Sequence, residues 1–122
     1  MSFEQFKMNQ GRVWSSTISN KGVVRIGASS CFKIGLDSKN IKYTQLFFDK
    51  QNNQIGLIFS EEKKDFSAVV RNRNGTLDFS IKALLRFYDS LPKNLIVCDV
   101  FKNEDGMIII DLNSAKQKRG NK

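Results

Sequence analysis

Two stretches of the chain, "SNKGVVRI" (Ser19 to Ile26) and "NRNGTLDF" (Asn72 to Phe79), each read as a polar turn, a glycine and a short apolar strand, 53 positions apart. The same shift carries Phe32 onto Leu85, Phe48 onto Phe101, Asn53 onto Gly106, Ile55 onto Ile108 and Leu57 onto Ile110 without a gap. Identities are few, so the weight rests on the agreement of turns, caps and hydrophobic periods. One such unit, about 50 residues long, is too small to bury an adequate core alone. Two copies must therefore share one core, and that requirement constrains the fold more than any other feature.

Within the first copy, residues 12–19 ("RVWSSTIS") and Val23 to Ile26 predict two strands around the "NKG" turn, with Val24 and Ile26 on one face and Val23 and Arg25 on the other. "GASSCFKIGL" predicts a short helix capped by Ser29 or Ser30, with Ala28, Cys31, Phe32 and Gly35 on its buried face. Tyr43 to Phe48 and Ile55 to Phe59 flank "DKQNNQ" as a hairpin. The second copy repeats the order. "DFSAVVRN" and "TLDFS" are strands, and "IKALLRFYDSL" is a helix capped by Ser80 and ended by Pro92, with Ile81, Leu84, Leu85 and Tyr88 facing the core. "NLIVCDVFKNEDGMIIIDL" is the closing hairpin. The predicted fold is mainly β with two short helices, a duplicated β-β-α-β-β unit forming a joint β-barrel or paired sheets. Residues 1–113 are expected to be a single compact domain of two repeats, 13–60 and 66–113. Residues 114–122 lack apolar periodicity, carry Lys116, Lys118, Arg119 and Lys122, and predict a flexible basic tail.

A 40% hydrophobic fraction with ten Phe supports a real core. The net charge of +8, from 20 Lys and Arg against 12 Asp and Glu, favours a polyanionic partner, nucleic acid first. The chain has no His, which excludes His-ligated zinc and His-based triads. Cys31 and Cys98 lie in apolar surroundings and read as buried thiols of a reducing compartment. Asp99, Glu104, Asp105 and Asp111 lack an ordered ligand spacing and read as a solvated turn. No cofactor, metal or catalytic residue is expected. "MSFEQFKMNQ" has no apolar signal core, and no apolar run approaches the roughly 18 residues of a membrane span, so a cytoplasmic protein without membrane contact is expected.

The order strand, glycine turn, strand, short helix, hairpin in "SNKGVVRIGASSCFKIGLDSKNIKYTQLFFDKQNNQIGLIFS", and more loosely in "RNRNGTLDFSIKALLRFYDSLPKNLIVCDVFKNEDGMIIIDL", resembles the SpoVT/AbrB-like swapped-hairpin family of DNA-binding domains. The resemblance covers about residues 13–112. Where that family usually has proline after the second strand, this chain has Gly27 and Ser80. The resemblance implies a swapped-hairpin barrel, here completed by a tandem copy, and a non-enzymatic DNA-binding function such as transcription regulation or service to a mobile element. It places DNA-facing cations on and near the first hairpin of each unit: Arg12, Lys21 and Arg25, then Arg71 and Arg73. Arginine suits that role because its planar fork bonds bidentately to phosphate or to a guanine edge. Such charges also serve to guard turns and strand edges against aggregation. Asn20, Asn72 and Asn74 are expected at turn positions of positive φ. Trp14, Phe47 and Phe48 leave open a second reading, a β-rich, Whirly-like module that stacks unpaired bases of single-stranded DNA or RNA. A third is an antitoxin-like or inhibitory module whose charge meets an acidic protein. Homodimerisation is a further partner expectation.

Overall fold

The computed structural model describes residues 14–117. In chain order the elements are β1 (Trp14–Ile18), β2 (Val23–Ile26), α1 (Ala28–Lys33), β3 (Tyr43–Asp49) and β4 (Gln54–Ser60). The second half follows with β5 (Ser67–Val69), β6 (Arg71–Arg73), β7 (Thr76–Ser80), α2 (Lys82–Phe87), β8 (Ile96–Lys102) and β9 (Ile108–Gln117). The fold is mainly β with two short helices, as the sequence predicts.

All strand pairs are antiparallel, in the order β5-β3-β4-β9-β8-β1-β2-β7-β6. The two end strands are consecutive in the chain and separated only by Val70, whose N–H donates to the Lys42 carbonyl at 2.8 Å. The sheet is thereby a nearly closed barrel, which removes most of its unpaired edge. Hairpins from the two halves alternate around it: β3-β4, then β9-β8, then β1-β2, then β7-β6. Each opening hairpin thus sits between strands of the other half.

The register relates the halves by an approximate two-fold axis. Arg25 lies opposite Asp78 in the β2-β7 pair, and Gly56 lies opposite Ile109 in the β4-β9 pair. Both pairs join positions 53 apart, so each residue faces its own counterpart. Away from the axis the repeat slips. The helices are related by 54 residues, because β7 runs one residue further than β2 does. The β8-β9 turn, closed by Lys102 and Ile108, is one residue longer than the β3-β4 turn, closed by Asp49 and Gln54.

Strand alternation sends Ile18, Val24, Ile26, Ile55, Leu57, Leu77, Val100, Ile108 and Ile110 into the barrel, all at most 2% exposed. Each such side chain stabilises the fold by about 1.5–3 kcal/mol relative to exposure. Phe59 and Phe79 meet edge to face at 5.7 Å, bringing β4 of one half against β7 of the other.

Several local expectations are corrected. Phe32, placed on the buried face of α1, is 81% exposed, while Cys31 is fully buried. The helix ends at Lys33, and Gly35 at φ +80 turns the chain away before a long apolar face develops. The helix α2 ends at Phe87, well before Pro92. Asp89 takes a positive φ of 53, and the Ser90 N–H closes back on the Leu85 carbonyl at 2.7 Å. Neither helix has a side-chain cap at its N-cap position, which is Gly27 in α1 and Ile81 in α2. The other half contributes at both: Ala28 N–H donates to Thr76 Oγ1 at 3.2 Å and Ile81 N–H to the Gly22 carbonyl at 2.7 Å, while Ser80, the expected cap of α2, accepts the Lys82 N–H at 3.4 Å from one position before the N-cap. Ser114 to Gln117, expected as tail, continue β9, where Lys116 lies opposite Val97 and Gln117 opposite Ile96. Residues 118–122 lie outside the described residues.

Candidate nucleic-acid interface

Inward burial of Val24, Ile26, Leu77 and Phe79 forces their neighbours outward on β2 and β7. One outer row results, read strand by strand: Lys116 on β9, Val97 on β8, Thr17 on β1, Arg25 on β2, Asp78 on β7 and Arg71 on β6. Directly paired residues project from the same side of a sheet, so the whole row points outward; Arg25 and Arg71 lie two strands apart on one face, while Lys116 lies three strands from Arg25 in the other direction around the barrel. Five strand spacings put the ends of the row about 24 Å apart along the curved sheet.

At the centre of the row, Arg25 Nε donates to Asp78 Oδ1 at 2.7 Å and Nη2 to Oδ2 at 3.4 Å. The Arg25 side chain is 59% exposed and that of Asp78 only 8%. The hydrogen bond and the charge of Asp78 raise the Arg25 pKa above its already high value, so the guanidinium is permanently charged. Of its five N–H donors, two face the carboxylate and the others remain for a ligand. Arg25 and Arg71 line a cleft of about 400 Å³ with Asp78, Val23, Val69 and Ser80.

Lys21 is exposed at the tip of the β1-β2 turn, where Ser19 Oγ accepts from the Lys21 N–H at 3.2 Å and the Val23 N–H at 3.1 Å. Gly22 at φ +79 completes that turn. Arg73 is exposed beside the opposite tip, facing Thr76 across β6 and β7. Because β2 and β7 are antiparallel, the two tips lie at opposite ends of this four-stranded face. Arg12 lies outside the described residues. Of the five predicted cations, Arg25 and Arg71 therefore lie in the row, and Lys21 and Arg73 lie beside the turn tips at opposite ends of the strands that carry it.

Sequence reasoning placed Lys116 in a basic tail, because "SAKQ" shows no apolar alternation, and strand pairing alone puts it in the sheet. It also placed Asn72 in a turn of positive φ. Only Asn74, at φ 53, has that conformation among the three asparagines proposed. Asn72 lies in β6, and its amide donates to the carbonyls of Ser38 and Ile41 while its Oδ1 accepts from the Gly75 N–H at 2.9 Å. It fastens the second half's turn to the first half's loop.

The aromatics do not join the cations. Phe48 points inward and packs on Tyr88 at 4.2 Å between ring centroids. Phe47 is 44% exposed but sits opposite Gly56, in the β4-β9 region. Trp14 packs against the core, with Lys33 Nζ 4.6 Å from the ring centroid. Both cysteines are buried free thiols. Burial raises the Cys31 pKa, and burial together with the charges of Asp111 and Asp99 pushes that of Cys98 up to about 12. Neither forms the thiolate a nucleophile needs near neutral pH. Among the described residues, no helix is long and apolar enough to cross a membrane.

Comparison of the chain with protein-family models, with curated proteins and with solved structures finds no match.

Proposed function

We propose that this chain is a non-enzymatic protein that binds duplex DNA through the outer face of β1, β2, β7 and β6, in the manner of a swapped-hairpin regulator or mobile-element accessory factor. The observation that carries the reading is the placement of Arg25 and Arg71 two strands apart on the outer side of β2, β7 and β6, with Lys21 and Arg73 beside the turn tips at the two ends of these strands. These residues come from both halves, and only the alternation of hairpins makes them neighbours. The separation of Phe47 from this face supports duplex over single-strand binding, because a single-strand binder interleaves stacking aromatics with its cations.

Lys21 and Arg73 contact phosphates, and Arg25, held by Asp78 on a strand, is the residue placed to read a base edge. Each phosphate contact contributes about 0.9 to the slope of log affinity against log salt. Replacing Lys21 and Arg73 together with Ala lowers that slope by roughly 2. The stability cost stays within about 0.5 kcal/mol, since exposed turn side chains bury little area. Titration of duplex and single-stranded oligonucleotides across a salt series makes the measurement. An unchanged slope removes the hairpin tips from the interface, and preference for single strands replaces the duplex reading.

A further inference from the structure

In a barrel made of two like halves, residues on the two-fold axis meet their own counterparts. In this chain the counterparts differ at both places where the axis crosses the sheet: a cation meets an anion at one, and a glycine lies opposite an isoleucine at the other. In the β2-β7 seam the pair is Arg25 with Asp78, joined by a 2.7 Å hydrogen bond. In the β4-β9 seam it is Gly56 with Ile109. A Cβ on Gly56 would lie 2.4 Å from Met107 Sδ, so the second half fills the space that Gly56 leaves open.

Pairing like with like undoes both fits. Two first halves would set Arg25 against a second Arg25 and Gly56 against a second Gly56, giving like charge at one seam and a void at the other. Two second halves would set Asp78, nearly buried, against another Asp78, and crowd Ile109 and Met107 against their own copies. Like charges directly opposite on a sheet are destabilising, and specificity arises when the wrong partner meets repulsion as well as the right one attraction.

We infer that these two axis pairs make the surface between the halves selective, so that each half accepts the opposite half as partner and rejects a copy of itself. Selectivity keeps the chain folded as one barrel and prevents like halves of different molecules from joining chains together.

The test starts from the whole protein. A protease site is placed in the exposed segment from Glu61 to Asp65, the folded chain is cut, unfolded in urea and refolded by dilution, and native mass spectrometry counts the complexes. Random pairing gives mixed complexes about half the total, whereas the inference gives about ten mixed complexes for each like one. Arg25→Asp puts carboxylates at every version of the β2-β7 seam and lowers the ratio several-fold. The charge-swapped double variant, Arg25→Asp with Asp78→Arg, restores it. A random mixture from the unaltered chain, or a ratio indifferent to Arg25→Asp, overturns the inference. If the cut halves do not reassemble, urea unfolding of the uncut chain decides. Each single reversal lowers the midpoint and the swap recovers most of the loss, and a swap no better than the two losses combined overturns the inference.

Discussion

The two halves of the barrel share an element order but not a way of packing. In the second half, Gly22 of the partner turn sits hard against α2: a Cβ there would lie 2.6 Å from the Lys82 backbone. In the first half, Gly75 sits farther from α1, where a Cβ would meet Ser38 Oγ at 3.1 Å and Ala28 Cβ at 3.3 Å. A cleft of about 700 Å³ opens there, lined by Phe32, Leu36, Ser38 and Asn74 among others. The helix α2 buries a full leucine, Leu85, where α1 buries only Cys31. The strand β1 is continuous and pairs five residues with β8, while its counterpart breaks at Val70 into β5 and β6. The contrast teaches where a duplicated fold is free to change. Residues at the seams near the axis stay in strict register, because both halves depend on them to close the sheet. Helices and turns at the rim have drifted, because each answers only to its local neighbours.

The largest effect separates the helices. Leu85→Ala leaves a cavity in the core and lowers stability by about 3 kcal/mol, whereas Phe32→Ala, the position it matches by sequence, changes it by less than about 0.5 kcal/mol. Denaturant unfolding of the two variants compares them, and equal losses would restore Phe32 to the core.

Turns come next. Gly22→Ala meets both the positive φ and the Lys82 backbone and costs about 2–3 kcal/mol, while Gly75→Ala costs about 1–2 kcal/mol, mainly for its φ. A reversed order of melting temperatures would show that the α1 side is the tighter of the two.

Ending the chain after Asn113 costs about 1–2 kcal/mol, because Ser114 Oγ accepts the Asp99 N–H at 2.7 Å and β9 covers Ile96 and Val97. A melting temperature equal to that of the full chain would return these residues to a tail.

The smallest effect is an alkaline pH dependence that is largest in the second half, at the buried Cys98 of β8. The folded-state pKa of Cys98 is raised, to about 12. Its contribution is therefore fully present below the unfolded thiol value of about 8.5 and is lost as pH rises towards 12. Unfolding of Cys98→Ala between those limits loses less stability with pH than the parent chain, and identical slopes would relocate the alkaline sensitivity.

How much of this was legible beforehand differs by element. The inward face of β2, Val24 and Ile26, followed from alternation alone, because a strand's side-chain period is fixed by its backbone. The glycine turns at Gly22 and Gly75 were equally legible, since their φ values of +79 and +95 suit a residue without a Cβ. The face of α1 was not. Six residues form less than two turns, too few for a helical period to show which side chain meets the core. Of the candidate interface, Lys21, Arg25, Arg71 and Arg73 were named in advance, but the place of Lys116 in a strand and the capture of Arg25 by Asp78 were not, since each depends on a strand distant in sequence.

The sequence by itself determined the β-β-α-β-β order, its repetition, the positions of the turns and the inward residues of most strands. These follow from steric preferences and hydrophobic periods that act over a few residues. Only the tertiary structure decided that hairpins of the two halves alternate, that Arg25 meets Asp78, that Thr76 and Gly22 serve the opposite half's helix, and that β9 runs on through Lys116. Strand partners are chosen by closing the sheet and burying a shared core, and those gains depend on the whole chain at once.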